Sequence, residues 1–345
     1  MANARSLASA RDRVERICDA ATDARTLRLD VLTEIRRAID VDAYAWLLTD
    51  PETSVGTAPL ADVPCLPELP SLIRLKYLTA LNRWSSMSRP VALLTEAAAG
   101  DLSRSLLWRE LLYRFDVGDV ASSVFRDRYG CWGFLDLWRI GGEFDRAEAA
   151  FLGDLAAPLT TAIRCVQALT LIPVRRIRPR GPAVLLLSPG LEVRAQTSQT
   201  ADYLSALVPA AGDAAPVPAA AYNVAAQLLA NEAGIDMNPP SARVHLSGGS
   251  WLTLRAARIG GPDADLAVSI EEIAPDERAT LFARAHGLSP REQVLLLALA
   301  TGGDTRELAG ELVLSEHTVQ DHLQSIFGKT GLRSRQALLA HAFGA

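Results

Sequence analysis

The sequence predicts a multidomain α+β chain: two units of mixed helix and strand, then an all-α unit at the C-terminus. Three observations predict it. The chain has 345 residues, above the ~100–200 of one ordinary domain. Apolar residues make up 49% of it, enough to bury real cores. The periodicity also changes along the chain. Helix and strand patterns alternate over 1–170, strands return over 183–285, and only helical spacing remains over 286–345.

In the first stretch, Val14, Ile17, Cys18 and Ala21 have helical spacing, as do Leu32, Ile35 and Ile39. Residues 43–48 read as a strand ended by Asp50-Pro51. Residues 72–84 and 102–115 read as helical. Residues 120–128 and 132–140 read as strands, with Tyr129-Gly130-Cys131 as a hairpin signal between them. An apolar-striped helix over 145–169 follows, with Asp145 as its N-cap. This order of elements resembles a GAF domain. The resemblance implies a small-molecule site over one sheet face, or a dimerisation module. Five of the six tryptophans lie here. Trp132 and Trp138 are six apart on one strand and are expected on the same side. With Trp46 they form a candidate pocket for a small apolar or aromatic effector; the alternative is that all three are core.

Residues 171–182 hold three prolines, four arginines and a glycine, and read as a linker. Beyond it, 183–187 is a buried-strand pattern, Ser188-Pro189-Gly190 a turn and 191–195 its partner strand. The Pro/Ala-rich 209–221 reads as a loop running into a helix. Three strands follow at 243–246, 251–259 and 266–270, with Gly248-Gly249 turning between the first two. The order resembles a PAS-type domain over 183–285.

Residues 286–345 read as four helices. Ser289, Pro290 and Glu292 make a capping-box start, and Val294, Leu295, Ala298 and Leu299 are expected to supply the buried stripe. Gly302-Gly303 ends that helix; Asp304 or Thr305 caps the second, Ser315 the third and Ser334 the fourth. Two short helices joined by a tight turn form a helix-turn-helix layout. At about 100° per residue, Val319, Leu323, Ile326 and Phe327 share one stripe of the third helix. The opposite face carries His317, Asp321 and Gln324, flanked by Gln320 and Ser325. Such hydrogen-bonding side chains suit a helix that reads base edges in a major groove.

The segment resembles the LuxR-type DNA-binding domain. The matching residues are Leu288-Ser289-Pro290-Arg291-Glu292, Val294-Leu295, Gly302, Glu307-Leu308-Ala309, Leu312, Ser315, Thr318-Val319, His322-Leu323, Ile326, Lys329 and Ser334-Arg335. The resemblance implies base readout by Gln320, Asp321 and Gln324. It implies phosphate contacts near Thr305, Thr318, His322 and Lys329, with Glu292 and Arg335 as internal polar ties. It also implies double-stranded DNA as partner, a homodimer on a pseudo-palindromic site, and RNA polymerase as a contact if the protein activates. One departure matters. Family members often carry Lys or Arg at the sites of Gln320 and Gln324, whereas 315–328 holds neither. Over 286–345, five basic residues against six acidic ones give a net −1. Phosphate neutralisation supplies most non-specific DNA affinity, so this unit alone should bind weakly.

Other classes find little support. Net charge is −5, which excludes a polybasic chain. Cys18, Cys65, Cys131 and Cys165 show no CxxC spacing, so they are expected as free thiols, with no metal and no cofactor. Gly328-Lys329-Thr330 lacks the upstream glycine of a phosphate loop. No nucleophile–base pair is apparent, so no enzyme is expected. No uncharged run reads as a membrane span, and charges occupy the place of a secretory apolar region. These point to a cytoplasmic, effector-responsive regulator; the alternative is a ligand-independent one whose sensory-like units serve dimerisation or partner proteins.

Overall fold

A computed structural model describes residues 4–173, 181, 183–207, 218–261 and 263–344. The chain opens with α1 (Ala4–Ala20) and α2 (Ala24–Ala38). Asp23 starts α2 by accepting the backbone N–H groups of Arg25 and Thr26 at 3.0 and 2.8 Å. Then come β1 (Ala43–Thr49), β2 (Gly56–Asp62), α3 (Leu69–Leu78), β3 (Val91–Leu93), α4 (Leu94–Ala97), α5 (Leu106–Glu110), β4 (Val117–Asp127), β5 (Gly130–Ile140) and α6 (Arg146–Ala168). The five strands form one antiparallel sheet, ordered β2-β1-β5-β4-β3. Every residue of β1 is buried, because helices cover both faces of the sheet. Tyr44, Trp46 and Leu48 meet α1, α2 and α6 on one face; Ala43, Ala45 and Leu47 meet α3 and α5 on the other. Asp145 caps α6 within a capping box with Glu148. By length and composition α6 could cross a membrane; here it is a core helix, with Phe151, Leu152, Leu155, Leu159 and Ile163 buried.

A second antiparallel sheet repeats that strand order. Its elements are β6 (Ala183–Leu187), β7 (Val193–Gln196), α7 (Ser198–Leu207), α8 (Ala219–Glu232), β8 (Ser241–Ser247), β9 (Ser250–Arg258) and β10 (Leu266–Glu272), ordered β7-β6-β10-β9-β8. Helix α8 is small and apolar on most of its circumference and is buried throughout its first nine residues, as a helix between two layers must be. It packs on α3 and β2 of the first unit and on β9 of the second. A buried ion pair reinforces this junction. Arg243 grips Asp50 with two bonds of 2.7 Å, and the Arg243 backbone N–H adds a third at 2.8 Å. Burial alone raises the Asp50 carboxyl; the Arg243 guanidinium outweighs it and holds the group below the ordinary carboxylate range.

Helix α9 (Pro275–Ala285) leads into α10 (Pro290–Leu299), α11 (Thr305–Glu311), α12 (Glu316–Thr330) and α13 (Arg335–Phe343). It packs on α6, α10 and α13. One apolar core therefore runs from Leu7 and Val14 through Phe151 and Ile163 to Leu295 and Leu338.

Several sequence expectations change. The sequence pattern marks neither strands β2 and β3 nor helices α7 and α9, which the structure adds. Residues 72–84 and 102–115 are broken helices: α3 ends at Leu78, and α5 gives way to a 3₁₀ turn over Leu112–Phe115. Most of the expected linker, 174–180 and 182, lies outside the described residues, as do 209–217 of the Pro/Ala-rich loop.

Candidate nucleic-acid interface

Each helix of the C-terminal unit starts where its sequence places a cap. Ser289 accepts from Glu292 N, and the Glu292 carboxylate accepts from Ser289 N at 2.5 Å. Asp304, not Thr305, caps α11, accepting from Arg306 N and Glu307 N. Ser315 and Ser334 cap α12 and α13. Gly331, at φ 71°, ends α12 in the left-handed conformation. The α10 stripe is shifted from expectation. Leu295, Leu296, Ala298 and Leu299 are buried, while Val294 is 53% exposed. The pair Leu295-Leu296, not Val294-Leu295, faces inward.

Helix α12 lies over α10 and α11. Val319 and Ile326 are buried, and Leu323 and Phe327 pack half-buried beside them. Gln320, Asp321 and Gln324 are exposed on the opposite face. His317 joins them there, its Nε2 3.6 Å from Asp321 Oδ2. The other expected contacts are placed differently. Thr318 is half-buried, and its N–H is taken by Ser315 Oγ at 3.1 Å. Thr305 is half-buried behind the Asp304 carboxylate. His322 is half-buried, and its Nε2 is enclosed without a hydrogen-bond partner among the described residues. Lys329 Nζ reaches Glu292 Oε2 at 2.6 Å, and Ser325 Oγ donates to Glu292 Oε1 at 2.6 Å. Burial would raise Glu292, but Lys329, Ser325 and Ser289 outweigh it and bring its carboxyl down to about 2. Arg335 donates to Gly303 O at 2.7 Å and Leu299 O at 3.3 Å. Glu292 and Arg335 are thus internal ties between helices.

Residues 286–342 match the bacterial regulatory proteins of the luxR family, GerE. This stretch is a LuxR-type domain. Over 53 residues the chain is 51% identical to the probable HTH-type transcriptional regulator GfsR of Streptomyces halstedii, covering 15% of this chain and 22% of that protein. The chain thus aligns with about a fifth of that relative's length. Within the LuxR-type domain, α11, the turn at 312–315 and α12 form the helix-turn-helix, and α12 presents its polar face outward.

The three tryptophans of the first unit do not meet in one pocket. Trp46, Trp132 and Trp138 are all fully buried. Trp46 and Trp132 lie in the core under α2 and α6; Trp138 lies on the opposite face with Phe134. The expected same-side placement fails because β5 has a bulge. Phe125 pairs with Gly133 and Arg126 with Cys131, leaving Trp132 unpaired and shifting the alternation by one. Trp132 Nε1 instead donates to Asp127 Oδ1 at 2.9 Å. Trp138 lines a cavity of about 40 Å³ with Trp84, Lys76, Asp136 and Asn223. There Lys76 and Asp136 form a buried ion pair of 2.8 Å, and Trp84 Nε1 donates to Asp136 Oδ1 at 2.8 Å. Among the described residues, Trp138 Nε1 and Asn223 Oδ1 are buried without partners. Sequence reasoning missed Lys76, Asp136 and Asn223, which are far apart in the chain and carry no local motif.

Proposed function

We propose that the protein is a sequence-specific DNA-binding transcriptional regulator whose α12 reads base edges in the major groove. The observation that carries this is the open polar face of Gln320, Asp321 and Gln324 on the second helix of a LuxR-type helix-turn-helix. Gln320 or Gln324 can pair bidentately with adenine, and Asp321 can accept from cytosine N4. Lys329 reaches phosphate by exchanging its Glu292 partner, and His322 and the starts of α11 and α12 at Thr305 and Thr318 flank the groove. A homodimer would place two such helices about one helical turn apart. The GAF-like and PAS-like reading of the two units, over 1–170 and 183–285, is supported by their shared strand order.

In this reading a small apolar or aromatic effector bound in the first unit controls the regulator. The cavity beside Trp138 is its best-supported site, since it joins apolar walls to two polar atoms unpartnered among the described residues. One observation favours the ligand-independent alternative: about 40 Å³ admits only a few water molecules.

Genome-wide footprinting of the purified chain tests the DNA reading. Discrete protected sites that vanish in Gln320→Ala/Gln324→Ala are expected. Sites that persist in the double variant would place base readout elsewhere.

A further inference from the structure

The LuxR-type domain poses an electrostatic problem. It is net −1, and α12 carries no cation before its last turn. That last turn nevertheless has to meet DNA backbone. Helix α12 has 15 residues, about 22 Å at ~1.5 Å each. A major groove is about 12 Å wide. A helix seated in it by Gln320 and Gln324 therefore carries Lys329 out over a phosphate strand.

Beside Lys329 the fold opens a cleft of about 440 Å³. It lies between the LuxR-type domain and the β4–β5 hairpin tip of the first unit. Arg128, Arg284 and Lys329 line it with Tyr129, Ser289 and Gln293, and no carboxylate is among its lining residues. In a chain of net −5, three cations lining one cleft are a marked local excess. Two of them have acidic neighbours: Lys329 has Glu292 at 2.6 Å, and Arg284 has Glu52 at 3.8 Å. Arg128 is exposed, with its guanidinium over the Tyr129 ring at 4.7 Å. Among the described residues, no carboxylate lies within ion-pair distance of it.

The tip is held in place against the domain. Arg284 Nη1 donates to Tyr129 O at 2.9 Å, and Arg164 Nη1 to Ala285 O at 3.2 Å. Gly287, at φ +66°, brings its backbone against the Tyr129 ring; a Cβ there would sit 3.1 Å from the ring. Arg128 is thus fixed at the edge of the DNA-binding domain although it belongs to another unit.

We propose that Arg128 extends the nucleic-acid interface, contacting the DNA backbone beside Lys329 and supplying charge that the LuxR-type domain lacks. This rests on the DNA-binding reading above. Its occupant is duplex backbone, because a continuous polyanion must pass Lys329 once α12 is seated. The contact carries no sequence information; it sets affinity and orientation.

The test uses the full chain and a random-sequence duplex of about 30 base pairs, with affinity followed by fluorescence anisotropy over about 50–300 mM salt. Arg128→Ala should weaken binding several-fold at low salt and reduce the salt slope by about one. Arg128→Lys should keep the slope. Arg146→Ala, at the exposed start of α6, should leave both unchanged. Wild-type binding with an unaltered slope in Arg128→Ala overturns the proposal. So does a thermal stabilisation by inorganic phosphate that Arg128→Ala abolishes while the slope stays constant, since that would mark a free-anion site. If the wild type binds no duplex at any salt, it is the DNA-binding reading that fails.

Discussion

Val313 occupies the turn of the helix-turn-helix in a conformation its side chain resists. Its φ is +55°, a left-handed value that a β-branched residue adopts only at a cost. Its side chain is 90% exposed, so no packing offsets that cost. Backbone bonds hold the turn in place: Leu314 N donates to Ala309 O at 2.9 Å and Val313 N to Gly310 O at 3.4 Å. Glycine there would remove about 1–2 kcal/mol of strain. It would return about 0.4–1 kcal/mol through a freer unfolded chain. Val313→Gly should therefore stabilise the protein by about 1 kcal/mol, read as a higher urea midpoint at constant m-value. A lower midpoint would mean that the valine side chain makes stabilising contacts in the folded state.

Between elements, Glu292 is the polar bolt of the LuxR-type domain. It fastens α10 to α12 through Ser325 and Lys329 while closing its own capping box. Its carboxyl lies at about 2, below the ordinary 4.5. A carboxyl depressed on folding contributes stability that is complete above its unfolded pKa and lost as pH falls through the folded one. Glu292→Gln should cost about 2 kcal/mol at neutral pH. The gap between wild type and variant should close between pH 4.5 and about 2. Denaturant melts across that range check it; a gap independent of pH would assign the loss to shape rather than charge. The helices of this domain were legible because caps are local: Ser289, Ser315 and Ser334 sit one residue before their helices in sequence and in space alike. What the sequence hid was relational. Strand β2 holds Pro59 and pairs along one side only, so no strand pattern marks it. Strand β3 has three residues. The bulge at Trp132 reversed a face assignment that simple alternation had made, and the cleft beside Lys329 joins residues some 200 positions apart.

Across the whole molecule, the LuxR-type domain is packed into the fold rather than appended to it. Its apolar core continues into that of the first sheet, and Arg278 on α9 fastens the junction. Arg278 is 1% exposed, and among the described residues no carboxylate lies within ion-pair distance. Burial lowers its guanidinium to about 10, still charged at neutral pH. Its donors go to three backbone carbonyls in three parts of the chain. These are Gly249 O in the β8–β9 turn at 2.8 Å, Ile172 O beyond α6 at 2.7 Å and His341 O in α13 at 3.3 Å. One side chain thus couples the segment after α6, the second sheet and the last helix. Arg278→Met keeps much of the volume but strips three carbonyls of a donor, a loss of about 3 kcal/mol or more. The position of that loss matters as much as its size. If the three parts open separately, hydrogen exchange should quicken in α13 and the β8–β9 turn while β1 and β5 keep their protection. If the continuous core makes them one cooperative unit, protection should fall together throughout. The localised pattern is expected, because Arg278 joins the parts through single bonds to three backbone carbonyls, whereas β1 and β5 are secured by a full ladder of strand pairing.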